Sequence, residues 1–242
     1  MSAPVLQLRG LRKAYGQRVA LSALDLQIGA GEVVALLGEN GAGKTTTLAM
    51  ATGQLVPDAG QTLIAGHDVF GDAMAARRLL GYVAQDLLLP PYLTVAEMAA
   101  FACQVKGAAL DDAQLSGLLA LTGLDDAADR LIGELSHGMQ RKSAWVVALV
   151  TDPRVLVLDE GLAGLDATSS AALVDEVARR AQRGLAVLWA EHDLALLAPH
   201  LHRAVVLHGG EVAERVEGDA LRAEAASGQL PELMRRWTAP RG

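Results

Sequence analysis

Apolar and polar positions alternate with a period of two near the start of the chain. Val5-Leu-Gln-Leu8 and Leu24-Asp-Leu-Gln-Ile28, with a turn at Tyr15-Gly16 between them, predict half-buried antiparallel strands. After a turn at Gly29-Ala-Gly31-Glu32 the pattern changes. Val33-Val-Ala-Leu-Leu37 is uniformly apolar, as a strand covered on both faces must be. Three later runs read the same way: Val155 to Leu158, Leu185 to Trp189 and Ala204 to His208. Between these strands the pattern predicts helices. One runs from about Lys44 to Thr52. Thr94-Val-Ala-Glu97 has capping-box spacing and opens a second. Others run from Asp112 to about Leu121, from Ser136 to before Pro153, and from about Thr168 to Arg183, where Gly184 stops the helix. His208-Gly-Gly-Glu211 reads as a hairpin turn. Strands and helices alternate on both sides of a helical stretch at about 86–152. The expected fold is therefore an α/β core, with an antiparallel β subdomain at its start and a helical subdomain inserted in it. The main domain spans 1–217, and residues 218–242 form a short helical tail.

Composition narrows the class. Of the 242 residues, 51% are hydrophobic and 20% charged, enough apolar surface for a large core, so disorder is not expected. Acidic residues outnumber basic ones, 28 to 21, and a net charge of −7 gives no support to binding the phosphate backbone of nucleic acid. The one cysteine, Cys103, cannot build a disulfide framework and lies in the apolar run from Met98, so it reads as a small buried hydrophobe. The first residues lack the basic head and apolar stretch of a signal peptide. The richest apolar region, Ala144 to Leu158, is interrupted by Thr151-Asp-Pro-Arg154, short of the roughly 18 uninterrupted residues of a membrane span. The chain is expected to be soluble and cytoplasmic, with any membrane role exercised through a partner.

The chemistry begins after the first fully apolar strand. Gly38, Glu39, Asn40, Gly41, Ala42, Gly43, Lys44 and Thr45, followed by Thr46, have the spacing of a phosphate-binding loop between a strand and a helix. Glycines let the backbone turn tightly with several N–H groups pointing inward, and the helix N-terminus adds positive potential. Lys44 brings a full charge to the β- and γ-phosphates, and the Thr45 hydroxyl can ligate Mg²⁺. A second acidic feature follows the strand Val155-Leu-Val-Leu158. Asp159 and Glu160 leave a buried strand together, and buried charge needs a partner. Mg²⁺ held by Asp159, with Glu160 as general base toward water, supplies one.

Between these motifs stands Leu135-Ser-His-Gly-Met-Gln-Arg-Lys142, which resembles the signature of ABC ATPases, usually Leu-Ser-Gly-Gly-Gln. The resemblance covers residues 4 to 215, and it implies a P-loop NTPase (RecA-like) fold, ATP and Mg²⁺ as ligands, and ATP hydrolysis. It also implies roles for particular residues. Tyr15 resembles the aromatic that stacks on adenine. Gln85, in Gly81-Tyr-Val-Ala-Gln85, resembles the glutamine that touches Mg²⁺ and the attacking water. Asp166, in Gly164-Leu-Asp166, resembles the loop that crosses to a second subunit. His192, in Trp189-Ala-Glu-His192, resembles the switch histidine that senses the γ-phosphate. Ser136 and Gly138 are implied to face the nucleotide of a second chain, in a head-to-tail homodimer or a pair with a similar ATPase.

The chain departs from the family pattern at His137, Met139, Gly161 (usually proline) and Glu191. The resemblance further implies an integral membrane permease subunit as partner and a peripheral place on the inner face of the cell membrane. Within the family, the signature and Leu93-Thr-Val-Ala-Glu97 look most like ATPases of ABC-2-type exporters. A non-transport ABC ATPase acting on nucleic acid or ribosomes is the alternative; it usually carries two such domains or a long insertion. In Asp86-Leu-Leu-Leu-Pro-Pro-Tyr92 the leucines either face the permease or are simply buried.

Overall fold

A computed structural model describes residues 3–87 and 89–238. In chain order the elements are β1 (Leu6–Tyr15), β2 (Arg18–Ile28), β3 (Val33–Gly38), α1 (Lys44–Ala51), β4 (Ala59–Ile64), β5 (His67–Asp68), α2 (Ala73–Arg78) and β6 (Leu80–Val83). The helices α3 (Val95–Lys106), α4 (Asp112–Thr122) and α5 (His137–Leu149) follow. Then come β7 (Val155–Asp159), α6 (Ala167–Ala181), β8 (Ala186–Ala190), β9 (Arg203–His208), β10 (Glu211–Glu217), α7 (Gly218–Ala226) and α8 (Leu230–Thr238).

The uniformly apolar runs form the centre of a six-stranded sheet in the order β10-β9-β3-β8-β7-β6, in which β10 alone runs antiparallel to its neighbour. Successive side chains of a strand point to opposite faces. Val33, Ala35 and Leu37 therefore join one core, with Leu156, Leu158, Val187 and Trp189, against the helices of the insertion. Val34 and Leu36 join the other, with Val155, Val157, Ala186 and Leu188, against α1 and the antiparallel sheet. That second sheet, in the order β2-β1-β4-β5, pairs β1 with β2 through several register shifts. Its alternation is clean in β2, where Leu24, Leu26 and Ile28 are buried and Asp25 and Gln27 exposed. It fails in β1: Gln7, expected on the polar side, is buried, its Oε1 accepting from Arg9 Nε at 3.0 Å.

The helical insertion is anchored by local chemistry. Thr94 caps α3 in a complete capping box with Glu97, an arrangement worth about 1 kcal/mol, and Gly107 ends the helix in the left-handed region. In the loop before α3, Leu87 and Leu89 are half-buried against the core while Tyr92 is exposed. Those two leucines are thus partly covered by the core and partly open to the surface; Leu88 lies outside the described residues. Helices α7 and α8 are not a detached tail. Leu221, Leu230, Met234 and Trp237 are buried in the core on the helical side of the sheet, and Trp237 Nε1 donates to Glu214 at 2.8 Å. Residues 239–242, the end of the expected tail, are outside the described residues.

Candidate functional site

Four loops leave the C-terminal ends of adjacent parallel strands on one edge of the sheet. The loop after β3 carries Lys44, that after β8 His192, that after β7 Glu160, and that after β6 Gln85. This edge is where open parallel sheets gather ligand chemistry. The β3 loop requires glycine. Gly38, Gly41 and Gly43 all have positive φ, and a Cβ at Gly38 or Gly43 would stand 2.3 Å from Leu207 O or 2.5 Å from Ala20 O. A cavity of about 540 Å³ opens over this loop. Tyr15, Arg18, Asn40, Gly41, Gly43, Lys44, Thr45, Thr46, Gln85 and Glu160 line it. Tyr15 is 53% exposed, with Lys13 Nζ 6.0 Å from its ring centroid.

Lys44 is buried, and its Nζ donates to the carbonyls of Gly38 at 2.7 Å and Glu39 at 3.1 Å. Burial lowers its pKa, while Glu160, Asp159 and Glu39 oppose that shift. The ammonium makes its hydrogen bonds to carbonyls and lines the cavity, where a bound anion would meet it directly. Glu39 turns its carboxylate to His208 Nδ1, 2.9 Å away. Ala42 is buried beneath the loop and donates its N–H to Glu39 O at 3.1 Å.

Asp159 is almost fully buried, and burial, followed by the nearby Glu160, raises its pKa. The nearby Lys44 and the Thr45 side chain oppose that shift. A hydroxyl and a carboxylate, both hard oxygen donors beside an anion site, suit Mg²⁺, which usually takes one or two carboxylates and completes its shell with water and substrate phosphate. Among the described residues no three His, Cys, Asp or Glu side chains gather as an all-protein cage.

Glu160 occupies the left-handed region at φ 50°, unusual for a residue with a side chain and a form of strain common at functional sites. Its N–H donates to Ala190 O at 2.9 Å, fixing it to the end of β8. One carboxylate oxygen meets His192 Nε2 at 2.8 Å, and the other accepts from Gln85 Nε2 at 3.2 Å. Two side chains assigned from different stretches of sequence thus converge on the Glu160 carboxylate at the cavity rim.

Ser136, Gly138 and Asp166 do not line this cavity. Ser136 is an exposed N-cap of α5, its Oγ accepting from Met139 N at 3.3 Å. Asp166 caps α6 through Ser169 and lies 3.2 Å from Lys142, contacts that hold its carboxyl well below the usual carboxylate range. A Cβ on Gly138 would stand 3.3 Å from Gly164 O. The start of α5 and the loop before α6 therefore form one surface, separate from the phosphate loop of the same chain.

Several contributors carried no sequence signal. Arg141 is 95% buried, and its guanidinium donates to Ala84 O at 2.6 Å and Gln85 O at 2.8 Å, tying α5 to the loop that carries Gln85. Trp145 Nε1 donates to Gly161 O at 2.8 Å. Arg18 lines the cavity from β2. Each acts through a partner distant in sequence, which no local pattern reveals.

The family profile described as ABC transporter matches residues 21–163. The ribose import ATP-binding protein RbsA of Pseudomonas putida is 38% identical over 223 residues, covering 88% of this chain and 44% of that protein. Nod factor export ATP-binding protein I of Ralstonia nicotianae is 40% identical over 167 residues, covering 68% of this chain and 52% of that protein. The chain thus spans about half the length of these relatives. A solved structure described as the ATP binding subunit of an ABC transporter superposes with a TM-score of 0.85 at 26% identity, covering 95% of this chain and 99% of that one.

Proposed function

The chain belongs to the ABC transporter family, and on that premise we propose that it is an ATP-binding and ATP-hydrolysing subunit that powers export through a separate transmembrane subunit. The observation that carries the reading is the convergence of Gln85 and His192 on Glu160 beside a cavity floored by Lys44 and Thr45. Tyr15 stacks on the adenine. The loop from Gly38 to Thr46 and the Lys44 ammonium hold the phosphates. Thr45, Asp159 and Gln85 hold Mg²⁺, which when bound offsets charge on the phosphate oxygens. Glu160 accepts a proton from the water that attacks the γ-phosphate, a role worth about a hundred- to ten-thousand-fold. His192 keeps that carboxylate aimed and contacts the γ-phosphate.

The separate surface of Ser136, Gly138 and Asp166 supports a head-to-tail dimer, in which these residues close over the nucleotide of a second chain. ATP then favours the closed pair, and hydrolysis removes the link. Among the described residues no helix is long and apolar enough to cross a membrane. In this reading a permease subunit supplies the path and this chain works at the inner face of the membrane, as the relatives named ATP-binding proteins of import and export systems suggest. The relative named for Nod factor export supports the outward direction; the relative named for ribose import makes the direction the point to test.

The test is purification of the tagged chain from membranes of its host, followed by ATPase and vesicle-transport assays on whatever accompanies it. A polytopic membrane protein that stimulates ATP turnover, with cargo leaving the side that holds this chain, is the expected result. Cargo moving toward that side would make it an importer. Ribosomes or nucleic acid in place of a membrane protein would overturn the transport reading.

A further inference from the structure

We infer that Glu191 is a positioning residue for the Glu160–His192 pair, fixing the His192 backbone N–H at the start of the switch segment. This deepens the ATPase reading above and rests on it. Glu191 leaves the end of β8, one residue before His192 and one after Ala190, whose carbonyl accepts the Glu160 N–H. Glu191 Oε1 accepts the His192 N–H at 3.1 Å. Leu162, two residues beyond Glu160, and Trp189 lie near the same carboxyl. One acid thus stands beside both halves of the pair.

The placement is costly enough to need a reason. Glu191 Oε2 is buried without a partner at hydrogen-bond geometry, and so is Trp189 Nε1, which therefore acts on the carboxyl only as a dipole. Burial raises the Glu191 pKa above the usual value, and the neighbouring Glu160 pushes it the same way. A neutral side chain of similar size would avoid these costs. The acid does what a hydrocarbon cannot: it fixes the direction of the His192 backbone N–H, and so the approach of the imidazole to Glu160. A misplacement of about 1 Å at such a pair costs on the order of a hundredfold in rate.

The neighbouring departures build the same wall. Gly161 lies against the Trp145 ring, and Trp145 packs on Trp189 with ring centroids 5.7 Å apart. Glu191, Trp189, Trp145 and Gly161 thus form a continuous layer under the catalytic turn.

The experiment measures steady-state ATP turnover for wild type, Glu191→Gln and Glu191→Leu, with nucleotide affinity by calorimetry as the control for folding. Leucine keeps the volume and loses both acceptors; glutamine keeps one. The expected order of kcat is Glu, then Gln about fivefold lower, then Leu about thirtyfold lower, with KM for ATP within about twofold. In a His192→Ala background the Leu change should add less than about twofold, because its target is already gone. A packing role predicts instead that Leu is at least as active as Gln, and that result would overturn the inference. So would full additivity with His192→Ala, or a loss confined to KM. If Glu191→Leu fails to fold, Glu191→Gln decides by the same split of kcat against KM. Absence of turnover in the wild type would remove the ATPase reading as well; wild-type turnover with unimpaired variants removes the Glu191 role alone.

Discussion

Replacing Gly161 by alanine should be disproportionately harmful in this chain, and a second substitution should relieve it. The φ of Gly161 lies outside the left-handed region, so alanine is conformationally acceptable there. Space is the obstacle. A Cβ would stand 3.1 Å from Trp145 Cζ2 and 3.6 Å from Leu158 Cδ2, and Trp145 is fully buried and cannot withdraw. Overpacking of this kind costs about 1–3 kcal/mol, offset by roughly 0.5 kcal/mol of lost freedom in the unfolded chain. Trp145→Phe removes the crowding ring carbon, but it also removes the 2.8 Å hydrogen bond to Gly161 O. That substitution should cost about 2–4 kcal/mol, from the unpaired carbonyl and the space left behind. Combined, the two should cost about 1–2 kcal/mol less than their sum, since the alanine methyl enters the volume the indole vacates. Urea unfolding of the four proteins without nucleotide measures the cycle. Additivity within about 0.5 kcal/mol would refute the reasoning, because it would mean that Trp145 and position 161 do not compete for one space.

Lys44→Ala should weaken nucleotide binding by roughly ten- to a hundredfold, the worth of charge-assisted hydrogen bonds to phosphate, and calorimetry showing unchanged affinity would remove the phosphate-loop assignment. Lys106, which donates to Thr151 Oγ1 at 2.8 Å, has its pKa pushed down by burial from 10.5 to about 8. Its folded value lies below its unfolded one, so its contribution to stability is full above the unfolded value and lost as pH falls through the folded value. Between about pH 7.5 and about pH 10, wild type should therefore gain about 2 kcal/mol relative to Lys106→Met, read from paired denaturation curves; a constant difference would show that Lys106 keeps an ordinary pKa.

The central strands were legible because each is buried on both faces and must be apolar throughout. Val33 to Leu37 and Val155 to Leu158 cannot be read otherwise in their context. The segment from Ala59 to Val83 was silent. β4 begins with three exposed residues, β5 has two residues and β6 four, too few for a period to emerge. In β1 the register shifts and the buried Gln7 spoil the alternation that β2 displays. In the site, contiguous motifs were legible because their chemistry depends on local backbone: glycines that must turn, a lysine at a helix start, acids at a strand end. Arg141 and Trp145 were not assigned roles, because what they do is fixed by Gln85 O and Gly161 O, each brought near only by the folded sheet.

Glu160→Gln tests the account's central claim most directly. The substitution keeps the shape of the side chain and removes its capacity to take a proton, while Lys44, Thr45 and the cavity remain. The measurement is oligomeric mass by light scattering with ATP and Mg²⁺, alongside turnover, for Glu160→Gln alone and combined with Ser136→Arg. The account predicts that Glu160→Gln binds ATP, loses at least about a hundredfold in turnover and accumulates as a dimer, and that adding Ser136→Arg restores the monomer without loss of binding. Turnover undiminished in Glu160→Gln, or an ATP-dependent dimer indifferent to Ser136→Arg, would contradict it.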